Sequence, residues 1–314
     1  MADAVHPQLR VFLKDWDEAW STLPAGSGPA QRRAHFEKVA AAMREPDPVG
    51  IVTREHWIPV PQSGQSVRLR EFRLADASGP LPALVYMHGG GWMQGSPETH
   101  WDIAAGIAAR CRQAVFSVDY ALAPERPFPQ AVNDCSAVVR WVFAQAQALA
   151  VNPNAIAVGG DSAGANLAAS QTQIHRGSAQ KLRAQLLIYP AVDFALNRPS
   201  HVENADGPLL RVAAMPATNA MYCPNPADLQ NPLAAPLLAA TLQGLPPAYV
   251  AVAQCDPLRD EGIAYAERLQ ASGVVTVLDR GPGMIHGYLR GKAYCDDARA
   301  SFERMCDWLA LANA

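Results

Sequence analysis

The chain has 314 residues, 49% of them apolar and 18% charged, with a formal net charge of −3. That is enough for one large α/β domain with an accessory region, and the weak negative balance excludes a basic field for nucleic acid or an anionic membrane surface. No apolar run approaches a membrane span, Met1-Ala2-Asp3-Ala4-Val5-His6 lacks the basic and apolar regions of a signal peptide, and the six scattered cysteines show no zinc spacing; reduced thiols, no metal, no cofactor and a cytoplasmic location are expected.

Two helices are predicted first, over residues 7–20 and 30–44. In the second, Phe36, Val39 and Met43 recur on one face. A Pro/Gly loop over 24–29 separates them, and Pro46-Asp47-Pro48 ends the section. Trp16 and Trp20 stand one helical turn apart, which suits either core packing or a cover over an active site. Strand-like stretches follow at 55–60 and 66–74. In the latter, Val67 and Leu69 hold one register and Phe72 and Leu74 the other, which predicts a bulge or a twist. Residues 81–87 form a near-continuous apolar run, the pattern of a central strand covered on both faces.

Strand and helix then alternate. Strands are predicted at 114–118, 155–158, 184–189, 249–253 and 274–278. Helices are predicted at 130–149, after Ser162, at 261–271 and at 294–311. Repeated βα units predict a mostly parallel sheet with helices on both faces. The proline-rich interval 191–246 breaks this rhythm and is too long for an ordinary loop. It reads as a helical insertion, with Phe194, Leu209, Leu210, Met215, Met221 and Tyr222 as candidates to line a pocket.

The chemistry centres on Gly160-Asp161-Ser162-Ala163-Gly164. A strand precedes it and a helix follows, so Ser162 sits at the apex of an elbow. The flanking glycines leave room around the serine, and the helix N-terminus directs N–H groups at charge that develops there. Alone the pattern is weak, because a chain of this length carries it by chance about one time in ten. Three other stretches fall at equivalent strand ends. His88-Gly89-Gly90-Gly91-Trp92 follows the run 81–87, and consecutive glycines there let backbone N–H groups converge on an oxyanion. Asp256-Pro257-Leu258-Arg259-Asp260-Glu261-Gly262 places Asp256 at a carboxyl edge, with Asp260 as the N-cap of the next helix. Gly283-Met284-Ile285-His286-Gly287-Tyr288 follows strand 274–278. A serine hydroxyl needs a histidine to take its proton and a carboxylate to fix the imidazole. The chain order Ser162, Asp256, His286 is the order of such triads in α/β-hydrolases.

Together with Asp119-Tyr120-Ala121-Leu122-Ala123-Pro124-Glu125, these motifs resemble the hormone-sensitive lipase family of esterases, bacterial family IV. The resemblance runs through most of the catalytic domain. It implies an α/β-hydrolase fold, a mostly parallel sheet of about eight strands flanked by helices, with a helical cap. The implied division is 1–45 and 191–246 for the cap, and 46–190 with 247–314 for the catalytic domain. It implies nucleophile Ser162, base His286, acid Asp256, oxyanion donors from the backbone N–H of Gly90, Gly91 and Ala163, and loop support from His88 and Gly89. Candidate pocket residues are Trp16, Trp20, Trp92, Asp161, Tyr189, Phe194, Met215, Ile285 and Tyr288. Ala121 stands where the family often has arginine, and Tyr288 where it often has phenylalanine.

The expected activity is hydrolysis of small-molecule carboxylic esters of short to medium acyl chain through an acyl-enzyme, with no nucleic-acid or membrane partner. The edge strand 274–278 and the last helix offer a surface for a homodimer. Two alternatives share the motifs: an amide or drug-ester hydrolase using the same triad, and a non-catalytic ligand-binding protein on this scaffold. The plant gibberellin receptors resemble the family and lack the triad histidine, whereas His286 is retained here.

Overall fold

The computed structural model describes residues 4–313. Two helices, α1 (Pro7–Ser21) and α2 (Pro29–Met43), precede the sheet. The order continues β1 (Ile51–Val60), β2 (Gln65–Leu74), β3 (Leu81–Met87), α3 (Trp101–Cys111), β4 (Ala114–Asp119), α4 (Gln130–Ala144), β5 (Val151–Asp161), α5 (Ala163–Ile174) and β6 (Gln185–Ile188). It ends with α6 (Pro199–Glu203), α7 (Met215–Tyr222), β7 (Ala248–Ala251), α8 (Arg259–Ala271), β8 (Thr276–Asp279) and α9 (Asp296–Ala312). The strands form one eight-stranded sheet ordered β1-β2-β4-β3-β5-β6-β7-β8. β1 and β2 pair antiparallel, as do β2 and β4, and every other pairing is parallel. Helices cover both faces, as the βα rhythm predicted.

β3 explains why the centre is apolar throughout. Its Ala83, Val85 and Met87 enter the core beneath α4 and α5, while Leu84 and Tyr86 enter the core beneath α3 and α9. Successive strand residues face opposite ways, so a strand covered on both sides has no polar face. Each Leu or Val fully buried in this way stabilises by about 1.5–3 kcal/mol.

The same geometry corrects the expectation of a bulge in β2. Its register with β1 runs unbroken from Ile51 opposite Leu74 to Val60 opposite Gln65. Val67 and Leu69 point into one core and Phe72 into the other, against Trp101 of α3. The change of apolar register therefore marks where the second face becomes covered. Helix α3 is absent from the sequence expectation because Ile103, Ala104, Ala105, Ile107 and Ala108 are all buried, which leaves little polar stripe to set a period. Helix α4 ends at Ala144, short of the expected 149, and the chain reverses through Ala150 at φ 50° to enter β5.

The insertion after β6 contains no strand, as predicted, but its helices are short. Alongside α6 and α7 it holds 3₁₀ turns at Val212–Ala214, Pro226–Gln230 and Pro236–Leu238. Proline stands in the first turn of α6, of α7 and of the last two of these, where its fixed φ suits a helix start and its missing N–H costs nothing. Two carboxylates of α8 bolt the insertion to the core. Asp260, expected to cap its own helix, instead accepts the N–H of Ser200 at 2.8 Å, in the first turn of α6. Glu261 is buried and accepts the N–H of Val192 at 2.8 Å. β8 forms the outer edge of the sheet, beside exposed Val275 and Val277. Among the described residues, no helix is long and apolar enough to cross a membrane.

Candidate active site

The carboxyl ends of β3, β5, β7 and β8 converge on Ser162. It follows β5 directly and opens α5 with φ 54° and ψ −120°, a strained conformation for a residue with a side chain. A Cβ on Gly160 or on Gly164 would collide with the Met87 carbonyl at the end of β3. The glycines are therefore required by the close approach of the neighbouring strand, more than by room around the serine. The Ser162 N–H donates to Ile188 O at 2.8 Å, which ties the elbow to β6.

Ser162 Oγ lies 2.9 Å from His286 Nε2, and His286 Nδ1 lies 2.8 Å from Asp256 Oδ2. Asp256 is fully buried, and its other oxygen accepts the Leu258 N–H at 2.8 Å, which fixes the carboxylate plane. The loops carrying Asp256 and His286 are held in register by a parallel bridge between Cys255 and Ile285, with Cys255 N–H donating to Met284 O at 2.9 Å. From the insertion, Asn204 Nδ2 donates to Asp256 O at 3.1 Å and Ser200 Oγ to Pro257 O at 2.6 Å. A carboxylate can only accept, so the imidazole proton sits on Nδ1 and Nε2 is left to accept from the serine hydroxyl.

The glycine loop after β3 turns beside Ser162. Gly90 and Gly91 have φ 132° and 61°, and their N–H groups make no hydrogen bond to the described residues. Ala163 is the first residue of α5, so its N–H has no partner within the helix. Gly89 points the other way: its N–H donates to Asp161 Oδ1 at 2.8 Å. His88 lies wholly beneath the loop, with Nδ1 3.0 Å from Gly89 O and its ring stacked on Tyr120 at 4.2 Å. Burial, with His100 beside it, pushes the His88 imidazole down to about 3, so the ring is neutral.

A family profile described as the alpha/beta hydrolase fold matches residues 84–290 of this chain. The carboxylesterase NlhH of Mycobacterium tuberculosis is 44% identical over 213 residues, 67% of each protein. The ethyl acetate hydrolase of Pseudomonas putida is 34% identical across 94% of this chain and 95% of its own. The crystal structure of EstE1, a carboxylesterase from a metagenomic library, superposes with a TM-score of 0.87 at 37% identity, covering 93% of this chain and all of its own (100%). The chain belongs to the hormone-sensitive lipase family of α/β-hydrolase carboxylesterases.

In this family member a cavity of about 50 Å³ opens at Ser162, lined mainly by apolar atoms. Trp92, Phe194 and Met215, all expected in the pocket, do line it. They are joined by Leu210, also singled out in the sequence, and by Asp193, Thr218, Asn219 and Leu258, which were not. Trp92 is held flat on Tyr222, with centroids 4.3 Å apart and planes 4° from parallel.

The other six pocket candidates lie elsewhere. Trp16 and Trp20 pack on each other and on Phe36 of α2. Asp161 is buried behind the glycine loop and accepts from the Tyr86 hydroxyl at 2.8 Å and the Tyr189 hydroxyl at 3.3 Å. Tyr189 lies 5.0 Å from the His286 ring and turns its hydroxyl to Asp161, Ile285 is buried in the core, and the Tyr288 hydroxyl meets Ser301 Oγ at 2.9 Å. Asp161, Ile285 and Tyr288 adjoin the triad in sequence, but their side chains are buried. Two groups behind the site, His100 and Arg290, carried no sequence signal at all.

Proposed function

We propose that the chain hydrolyses carboxylic esters of short acyl chain through an acyl-enzyme on Ser162. The observation that carries this is the continuous Ser162–His286–Asp256 hydrogen-bond chain opening on an apolar cavity. Ser162 Oγ attacks the ester carbonyl while its proton passes to His286 Nε2. Asp256 keeps the imidazole in the accepting tautomer and stabilises the imidazolium. The oxyanion that forms receives the N–H groups of Gly90, Gly91 and Ala163, which are aimed before the substrate arrives. His286 then gives its proton to the departing alcohol. A water attacks the acyl-enzyme with His286 as base, and the carboxylic acid leaves as Ser162 recovers its proton.

The cavity supports the acyl-chain preference. The cavity is walled by Trp92, Phe194, Leu210 and Met215, which suits a small apolar acyl group. The ethyl acetate hydrolase relative carries an acetyl group in its name, in keeping with this size. The limits 1–45 and 191–246 are proposed as the two parts of the cap.

Ser162→Ala tests the assignment. The variant is expected to fold with the wild-type thermal transition and to lose turnover of p-nitrophenyl acetate by about 10⁴-fold or more. Wild-type turnover in the folded variant would remove Ser162 from the chemistry.

A further inference from the structure

Arg290 lies four residues beyond His286, in the 3₁₀ turn Tyr288–Gly291. Its guanidinium does not reach the cavity. One nitrogen donates to Thr99 O at 3.0 Å and another meets His100 Nε2 at 2.6 Å. Arginine has only donors, so His100 Nε2 must accept and its proton must lie on Nδ1, 2.8 Å from Thr99 Oγ1. The Thr99 hydroxyl in turn donates to Ser96 O at 2.9 Å. The tautomer of a wholly buried imidazole is thus set from outside by a permanent cation. Burial holds His100 below its usual value, in keeping with a neutral ring.

His100 Nε2 also stands 3.4 Å from Asp161 Oδ1, and its ring stacks on His88 with centroids 5.4 Å apart. Burial pushes the Asp161 carboxyl up, and the Arg290 charge and the hydrogen bond from the Tyr86 hydroxyl pull it down. An ionised Asp161 is what holds the Gly89 N–H at 2.8 Å. If that bond were lost, the Gly89 peptide could rotate, and with it the next two N–H groups.

The other side of Arg290 is occupied by the N-terminal helices. Its guanidinium lies over the Phe36 ring of α2 at 4.6 Å and the Trp16 ring of α1 at 5.8 Å. Phe36 also meets His100 edge-on at 6.3 Å. A Cβ on the adjacent Gly291 would touch Leu9 and Phe12 of α1. The helices therefore shield the cation from water on the face opposite His100, which strengthens its field at Asp161.

We propose that Arg290 is a positioning residue for the oxyanion hole: packed on His100 and held in place by Trp16 and Phe36, its charge favours the ionised Asp161 that holds the Gly89 peptide. This rests on the ester-hydrolase assignment above. The N-terminal helices thus serve catalysis through Arg290.

The experiment compares Arg290→Met and Arg290→Lys with wild type. It measures kcat and KM for p-nitrophenyl butyrate, the affinity of a short alkylboronic acid that forms a tetrahedral adduct on the serine, and thermal unfolding. Arg290→Met is expected to lose about 100-fold in kcat with KM within about twofold, and the boronate affinity is expected to fall in parallel with kcat/KM. Arg290→Lys, which keeps the charge without the planar fork, is expected to fall between the two. A folded Arg290→Met with wild-type kcat and boronate affinity overturns the proposal, as does a loss confined to KM. Should Arg290→Met fail to unfold cooperatively, the same readings on Arg290→Lys and Trp16→Leu decide it: parallel loss of kcat and boronate affinity supports the relay, and any other pattern overturns it. If Ser162→Ala retained turnover, the hydrolase assignment itself would fail. An inactive Ser162→Ala beside an unaffected Arg290→Met would reject the relay alone.

Discussion

The two helical segments outside the sheet differ in sequence and in what they pack against. Both were expected to close over Ser162. From the insertion, Phe194, Leu210, Met215 and Thr218 line the cavity. The pair α1 and α2 places its aromatic side chains on one another and on Arg290, behind the glycine loop. Their anchors differ too. The N-terminal pair packs on a permanent cation, whereas the insertion hangs on Glu261, a carboxyl that burial pushes well above its ordinary range. Aromatic content therefore says that a segment packs tightly, but not against what.

Phe36→Ala tests this contrast with the largest expected effect. The ring is buried, so its removal is expected to cost about 3–5 kcal/mol of stability in chemical denaturation. It should lower kcat while leaving the ratio of acetate to hexanoate turnover unchanged. A shifted chain-length profile would mean that α2 reaches the substrate, and the contrast would break.

Met215→Ala is the opposite case. It opens the cavity wall, and the hexanoate-to-acetate ratio of kcat/KM is expected to rise about tenfold, at a stability cost of about 2 kcal/mol. An unchanged profile across acyl esters would remove Met215 from the wall.

Glu261→Gln sharpens the difference between the anchors by pH. A carboxyl whose folded pKa is raised contributes stability below its usual value of 4.5 and loses it as pH rises toward the folded value. Glutamine keeps the acceptor for the Val192 N–H and does not ionise. Denaturation curves should show variant and wild type alike near pH 4.5, with the variant gaining relative stability toward alkaline pH. A variant that loses ground as pH rises would mean that Glu261 is ionised and paired, with His201 Nε2, 3.9 Å away, as the partner.

The sheet was largely legible because its strands carry simple signals. β3 was read to the residue, since a run buried on both faces leaves no ambiguity. Ser162 directly follows β5, and Asp256 and His286 stand in the loops after β7 and β8, so their motifs fall at the carboxyl ends of recognisable strands. Trp16, Tyr189 and Tyr288 were misplaced because their facing is set by neighbours distant in sequence. His100 was hidden in an unrecognised helix boundary, and Arg290 in a turn with no periodicity. Asp161 shows the limit most clearly: adjacent to the serine in sequence, it turns its carboxylate away from the cavity and toward the Gly89 peptide.

The bridge between Cys255 and Ile285 bears on the order in which the molecule is made. Synthesis runs from the N-terminus, so the glycine loop and Ser162 emerge long before the segment that pairs these two residues. Until that segment arrives, the serine has neither its base nor a partner strand to seat the acid beside it. A nascent chain can form the elbow without acquiring a reactive hydroxyl. Ser162 Oγ gains its hydrogen bond to His286 Nε2 only when the segment around Ile285 docks on Cys255.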